Sequence, residues 1–280
     1  MFSELSKRLK TDWIAKISLV VIVIYFAIAF FAQIGLIFRD YDKTNYAESY
    51  QSPSAHHICG TDYLGRDVFS RIVHGSRVAI SVGIVSSFIA IPIGVFLGSL
   101  SGYFGGKIDE FVVWIYTTLD SVPGLLLILA LSLVLGRGLY AVYLAIGLTT
   151  WVSLCRLIRS EFIKHREREY VLAAKALGAG KTRQIFIHIL PNVFHIVIIN
   201  FSLRFVYAIQ SEVILSYLGL GTQDLPSWGI MINDAKVELA RGVWWQLAGA
   251  TGAMFFLILA MNIFGDFLRD TLDPKLRGVS

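Results

Sequence analysis

Four stretches of this chain run without a single Asp, Glu, Lys or Arg: Ile17 to Phe38, Val78 to Gly106, Gly138 to Cys155 and Val243 to Gly265. A bilayer core of about 30 Å needs about 20 apolar residues per helix, so each run is near or above the length required to span one. Two further runs carry isolated charges: Phe111 to Gly136 contains Asp120, and Pro191 to Leu220 contains Arg204 and Glu212. The pattern predicts six transmembrane helices and an all-α integral membrane protein. A membrane barrel is disfavoured, because its strands alternate over about ten residues whereas these runs are continuously apolar.

Composition agrees with the pattern. Of 280 residues, 55% are hydrophobic and 16% charged, and the mean hydropathy is +0.64. Lys7, Arg8, Lys10 and Lys16 before the first run resemble the start of a signal peptide, but the run is too long and no Ala-x-Ala site follows, so it reads as an uncleaved anchor. Basic residues mark the cytoplasmic side of a membrane protein. The segments before span one, between spans two and three, between spans four and five and after span six hold 16 Lys and Arg, against eight on the other side. Both termini are therefore expected in the cytoplasm. These charges follow helix ends and are not gathered with aromatic residues on one surface, so nucleic-acid binding is not expected. Cys59 and Cys155 fall towards opposite faces in this topology, which argues against a disulfide.

The long basic loop after span four carries the clearest functional pattern. Tyr170, Ala173, Ala174 and Leu177 recur at i, i+3, i+4 and i+7, giving a narrow apolar helix face. Gly178 then permits a left-handed cap, and Pro191 is placed at the start of the fifth span, where its missing N–H needs no partner. Small side chains suit insertion into a groove on another protein. An amphipathic helix lying at the lipid headgroups shares the pattern.

Glu169-x-x-x-Ala173-Ala174-x-x-x-Gly178, followed by Ile189-Leu190-Pro191, resembles the EAA loop of ABC importer permeases. Three other segments resemble the C-type permeases of dipeptide and oligopeptide importers within that family: Gly60-Thr61-Asp62 to Arg71, Leu215-Ser216-Tyr217-Leu218-Gly219-Leu220-Gly221 with Pro226-Ser227-Trp228-Gly229, and Gly265-Asp266 to Asp273-Pro274. The resemblance covers nearly everything after residue 55. It implies a type I ABC importer permease fold, with a cytoplasmic N-terminus at 1–16, a first transmembrane helix at 17–38, an extracytoplasmic loop at 39–77 and a five-helix core at 78–280. Within the core, the coupling loop occupies about 159–190, and Glu169, Tyr170, Ala173, Ala174, Leu177, Gly178 and Pro191 would engage an ATPase subunit. The implied partners are a B-type permease subunit, two ABC ATPase subunits, an extracytoplasmic substrate-binding protein and the lipid bilayer of a bacterial or archaeal plasma membrane. The implied cargo is di- or oligopeptides, with nickel chelates or opines as alternatives in the same family. One departure from many relatives lies in the third span, where Trp114 and Thr117 align with an Arg and an Asp and the acid appears instead at Asp120.

No catalytic group and no bound cofactor is expected in this chain; ATP would be used by the partner subunits. Gly178-Ala-Gly180-Lys181-Thr182 resembles the end of a phosphate-binding loop, but Lys175 stands where the first glycine is needed. His56, His57 and Cys59 are poorly spaced for a metal site, since adjacent residues on an extended segment point apart. Ser and His do not fall in a span arrangement pairing nucleophile with base. The polar residues inside spans point instead to a path, because such residues usually face other helices or water. Asn200, Arg204, Tyr207 and Ser211 share one helix face, with Glu212 beside it. On a rise of 1.5 Å per residue, Arg204 lies about 18 Å and Asp120 about 14 Å from the inner ends of their spans. Their similar depth suggests an ion pair, and a channel or ion-coupled carrier without an ATPase is the rival reading. In span two, Gly94, Gly98 and Gly102 form a stripe suited to close helix packing.

Overall fold

The computed structural model describes residues 2–222 and 224–272. In chain order its α-helices are α1 (Phe2–Thr11), α2 (Trp13–Gln33), α3 (Val68–Phe104), α4 (Gly106–Asp120), α5 (Gly124–Leu135), α6 (Leu139–Thr149), α7 (Val152–His165), α8 (Glu169–Ala176), α9 (Lys181–Arg183), α10 (Leu190–Tyr217), α11 (Trp228–Leu239) and α12 (Trp245–Leu272). Among the described residues the only β feature is an isolated bridge between Thr61 and Asp67.

Five helical stretches are long and apolar enough to cross a membrane, and a sixth crossing exists if α4 and α5 count as one broken span, bent by 89°. The third charge-poor run is therefore not the single helix expected from it. Pro123 has no N–H to donate and biases Val122 away from helical geometry, so the helix stops at Asp120. Two other boundaries differ. α3 begins at Val68, inside the segment assigned to the outer loop at 39–77, because Asp67 caps it by accepting from the Ser70 N–H at 2.7 Å. The helix around Pro191 begins well before it: α9 and a π-helical turn at Gln184–Ile189 lead into α10 without a break. Asn192 Nδ2 donates to the His188 carbonyl at 2.6 Å, satisfying one acceptor in this irregular stretch.

α3 is the central mast, packed against α7, α6, α10 and α2. Its glycine stripe explains the closest of these contacts. A Cβ at Gly94 would lie 2.9 Å from the Trp151 carbonyl, one at Gly98 2.6 Å from the Cys155 carbonyl, and one at Gly102 2.5 Å from the Arg159 carbonyl. Backbone meets backbone along this seam, and Leu154, Ile158 and Phe162 of α7 are buried in it. α2 lies against α12, where Tyr25 donates to the Ala253 carbonyl at 2.8 Å, while Trp13, Val20, Val23 and Phe30 are exposed on its other face. Exposed apolar side chains are the expected outer surface of a helix solvated by lipid.

The molecule has two distinct ends. At one, Gln33, His74 and Arg77 adjoin Phe38, and Trp245 at the start of α12 donates to the Thr61 carbonyl at 2.9 Å. At the other, Arg8 of α1 donates to the Asp270 carbonyl at the end of α12. Both helix-forming termini thus meet at one end. Asp273 and Pro274 of the last sequence motif lie outside the described residues.

Candidate translocation cavity and coupling segment

Two helix breaks face one cavity. The first is the α4–α5 break just described, which leaves Asp120 at the C-terminal end of α4, where the helix dipole disfavours an acid. Arg156 of α7 offsets this with an ion pair at 2.6 Å, its guanidinium 4.7 Å from the centre of the Tyr116 ring. The second break, at Thr150–Trp151 between α6 and α7, leaves carbonyls without intrahelical donors. Arg204 of α10 reaches them: Nη1 donates to the Thr150 carbonyl and Nη2 to Ser153 Oγ, the latter at 2.9 Å. A cation at a helix C-terminus is favoured by the same dipole that disfavours Asp120. The suggested Asp120–Arg204 pair does not form; each side chain takes a partner from α7 or the turn before it, because the broken third span brings Asp120 to Arg156 instead.

Between these breaks lies a cavity of about 450 Å³ lined by Asp120, Gly124, Ile128, Thr149, Thr150, Val152, Ser153, Asn200, Leu203, Arg204 and Tyr207. Three of the five polar residues named on the fifth span face it. Asn200 bonds back to the Ile196 carbonyl at 2.9 Å, and Tyr207 is partly exposed with its hydroxyl beside Gly124. Arg204 has no carboxylate partner among the described residues, and its Nε is buried without an acceptor. The other two do not reach the cavity. Ser211 is buried with an unpartnered hydroxyl, and Glu212 accepts from Ser216 Oγ at 2.6 Å within the joint between α10 and α11. Gly221 and Gly229 close against Ser216, and Trp228 Nε1 donates to the Ile72 carbonyl at 3.0 Å, so the Leu-Ser-Tyr-Leu-Gly and Pro-Ser-Trp-Gly motifs build that joint. Sequence reasoning missed Arg156, Thr150 and Ser153; the Ser121-Val122-Pro123-Gly124 run was the available signal for the break that exposes them.

The candidate coupling segment follows α7. α8 is eight residues long and ends in a Schellman motif: the Ala179 N–H donates to the Ala174 carbonyl and the Gly178 N–H to the Lys175 carbonyl, both at 3.0 Å. Gly178 sits at φ +86°, a conformation that L side chains rarely adopt. Val171 turns inward onto the cluster of Phe162, Ile185 and Ile189, and Ala174 is buried as well. Ala174 therefore packs inside rather than on the outward face to which it was assigned. The outward face carries Tyr170, Leu172, Ala173 and Leu177, the last 90% exposed. Glu169 opens the helix, where an acid complements the dipole. Pro191 lies beyond this face, within the continuous helix that follows. Gln184 holds the return of the chain, donating to the Ala179 carbonyl at 2.6 Å and accepting from Tyr103 at 2.7 Å. Arg159 grips Asp109 through Nε at 2.5 Å and Nη2 at 2.6 Å, fastening α4 to α7. In the Gly180-Lys181-Thr182 run Gly180 precedes α9 and Lys181 and Thr182 lie within it, so the run follows a helix, not a strand.

At the opposite end a cap is built around Asp62. This fully buried carboxylate accepts from Arg66 Nε at 2.7 Å, Arg71 Nη1 at 2.5 Å and the backbone N–H groups of Leu64 and Arg66, both at 2.9 Å. Tyr63 N–H donates to Glu238 Oε1 at 2.9 Å, tying the cap to α11. His57 takes Asp67 at 2.9 Å and Glu48 at 3.7 Å as its neighbours.

Residues 90–278 match the family described as binding-protein-dependent transport system inner membrane component. The chain is 37% identical to the oligopeptide transport system permease protein OppC of Bacillus subtilis, over 99% of this chain and 90% of that protein. It is 37% identical to the dipeptide transport system permease protein DppC of Bacillus subtilis over 97% of this chain and 85% of the relative. It is 34% identical to the glutathione transport system permease protein GsiD of Pectobacterium atrosepticum over 98% of this chain and 91% of the relative.

Proposed function

Since the chain belongs to the family of binding-protein-dependent transport system inner membrane components, we propose that it is one membrane-spanning subunit of an ATP-driven importer of small peptides. It pairs with a B-type permease subunit and two ABC ATPase subunits and receives cargo from an extracytoplasmic binding protein. The observation that carries this reading is the outward apolar face of α8, with Leu177 90% exposed beside a glycine-capped stop. A short helix cannot hold such a face in water for its own stability, so it serves a partner. Peptide cargo is supported by the names of the relatives and by Arg204, a cavity cation whose charge no carboxylate among the described residues neutralises and which suits peptide carbonyl or carboxylate oxygens.

The mechanism follows from how the pieces are joined. ATP binding in the partner subunits closes them around α8. The displacement passes along α7, which the glycine seam and the Asp109–Arg159 pair fasten to α3 and α4. Both helix breaks that face the cavity adjoin α7, so a tilt of this helix alters the Asp120–Arg156 and Arg204–Thr150 contacts together. The cavity then opens to alternate sides by rigid-body rocking. In this reading the coupling segment at about 159–190 and both termini are cytoplasmic, loop 39–67 with α11 is extracytoplasmic, residues 78–280 form the core, and the membrane is a bacterial or archaeal plasma membrane. The 16 basic residues on one side against eight on the other support that orientation.

Proteoliposomes holding the assembled subunits and the binding protein should accumulate labelled trialanine only when ATP is supplied on the ATPase side. Uptake by this chain without ATPase subunits, driven by an ion gradient, would establish the channel or carrier reading instead.

A further inference from the structure

A second polar recess, separate from the cavity beside α7, opens between the cap loop and α11. It encloses about 500 Å³. Tyr50 and Tyr63 come from the loop, Asp234, Lys236 and Glu238 from α11, and Arg241 from the turn after it.

Its charges are arranged unusually. Asp234 and Glu238 lie one helical turn apart on one face of α11. Glu238 is buried: its Oε1 accepts from the Tyr63 N–H, and its Oε2, sealed from solvent behind the recess wall, has no partner. The nearest cation to Asp234 is Arg71 at 3.8 Å, and Arg71 is already committed to Asp62 at 2.5 Å. The two cations of the recess have no acid partner: among the described ion pairs neither Lys236 nor Arg241 appears. Lys236 lies 4.4 Å from the centre of the Tyr217 ring, and Arg241 donates to the Tyr50 hydroxyl at 3.0 Å. Two carboxylates and two cations thus line one recess without pairing with each other. An unpaired carboxylate oxygen in a buried setting is costly until a donor arrives.

A lone cation entering here meets Lys236 and Arg241, and a lone anion meets Asp234 and Glu238. Among the described residues no group of three potential metal ligands converges. A ligand carrying both signs, with an apolar middle for the Tyr50 and Tyr63 rings, satisfies the whole lining. We infer that this recess binds a short peptide with free termini, its ammonium group at Glu238 and Asp234 and its carboxylate at Lys236 and Arg241. The inference rests on the peptide-import reading and adds a reception site on the face that receives cargo. The volume falls within the range of about 300–1,000 Å³ usual for small-molecule sites.

The test uses the assembled complex of this chain with its permease partner and ATPases in nanodiscs, without binding protein, titrated calorimetrically with trialanine, N-acetyl-trialanine and trialanine amide. Trialanine should bind, and acetylation or amidation should each weaken binding about tenfold, as loss of one charge-assisted contact predicts. Glu238→Gln keeps an amide oxygen for the Tyr63 N–H; it should weaken trialanine about tenfold and leave the acetylated peptide unchanged. Arg241→Gln should do the same for trialanine relative to the amide. Because the three peptides are compared on the unaltered complex as well, the test survives a variant that fails to assemble. Equal binding of all three peptides, or no binding by a complex that still imports trialanine with its binding protein, overturns the site and spares the import function. No import of any peptide overturns both.

Discussion

The two ends of this molecule handle exposed and buried chemistry in opposite ways. The cap end buries charge: Asp62 is sealed from solvent with Arg66 and Arg71 upon it, and four donors converge on its two oxygens. The α8 end exposes apolar surface: Tyr170, Leu172 and Leu177 stand outward on a helix anchored by little more than Val171 and Ala174. A buried ionic knot finds its counter-charges within the chain and fixes one shape, whereas an exposed apolar face on a short helix is complete only with a partner. The difference predicts which residues act on stability and which on assembly.

The largest effect should come from Asp62→Asn. It leaves Arg66 and Arg71 without their shared acid and sets an amide donor against either the two guanidinium groups or the Leu64 and Arg66 N–H groups, at a cost of roughly 3–5 kcal/mol. Thermal unfolding in detergent should fall sharply, whereas whatever fraction folds should still copurify with ATPase subunits. Normal thermal stability would mean that the cap is not held by this knot.

Gly102→Ala comes next, because the seam between α3 and α7 links the two ends. The added methyl carbon would sit 2.5 Å from the Arg159 carbonyl. Overpacking of this kind costs about 1–3 kcal/mol. The melting temperature should drop, and ATP-driven uptake should fall further than stability alone explains, since α7 can no longer carry α8 in register. An unchanged melting temperature would show that the helices separate freely along the seam.

Much of this comparison was legible in the sequence. The charge-free runs located the spans, and the stripe at Gly94, Gly98 and Gly102 located the closest helix contact, because small residues at a period of four serve little else in lipid. Gly178 announced its positive φ through the helix pattern that it ends. The pairing of intramembrane charges was not legible. Depth along a helix places Asp120 and Arg204 at similar heights, but lateral neighbours depend on the 89° bend at Ser121–Pro123, a long-range consequence of a local signal. Glu212 shows the same limit: helical periodicity set it beside the polar stripe, while its role is fixed by Ser216 and by residues of the next loop. Periodicity likewise put Ala174 outward, although which side of α8 meets the protein is decided by Ile185 and Ile189.

A smaller effect concerns pH at the cap. Burial pushes the Glu238 carboxyl up to about 7, with Asp62 and Asp234 adding to the shift and the Tyr63 N–H and Arg71 opposing it. Lys236 and Arg241 line the same recess. An acid whose folded pKa lies above its unfolded value holds its proton more tightly when folded, so its contribution to stability is present at low pH and is lost as pH rises through 7. Thermal stability should therefore decline from pH 6 to pH 8, and Glu238→Gln should flatten that decline. An identical slope in the variant would assign the titration to another group.

The smallest effect on stability and the largest on assembly should meet at Leu177. Its side chain is 90% exposed, so Leu177→Glu should change stability by less than about 0.5 kcal/mol. Placed in an apolar groove of a partner, the same carboxylate would lose its hydration without a counter-charge. The decisive measurement is copurification of the ATPase subunits with wild-type and Leu177→Glu chains matched for membrane content and melting temperature. The ATPases should be lost from the variant and uptake with them; full retention of both would rule out α8 as the docking element.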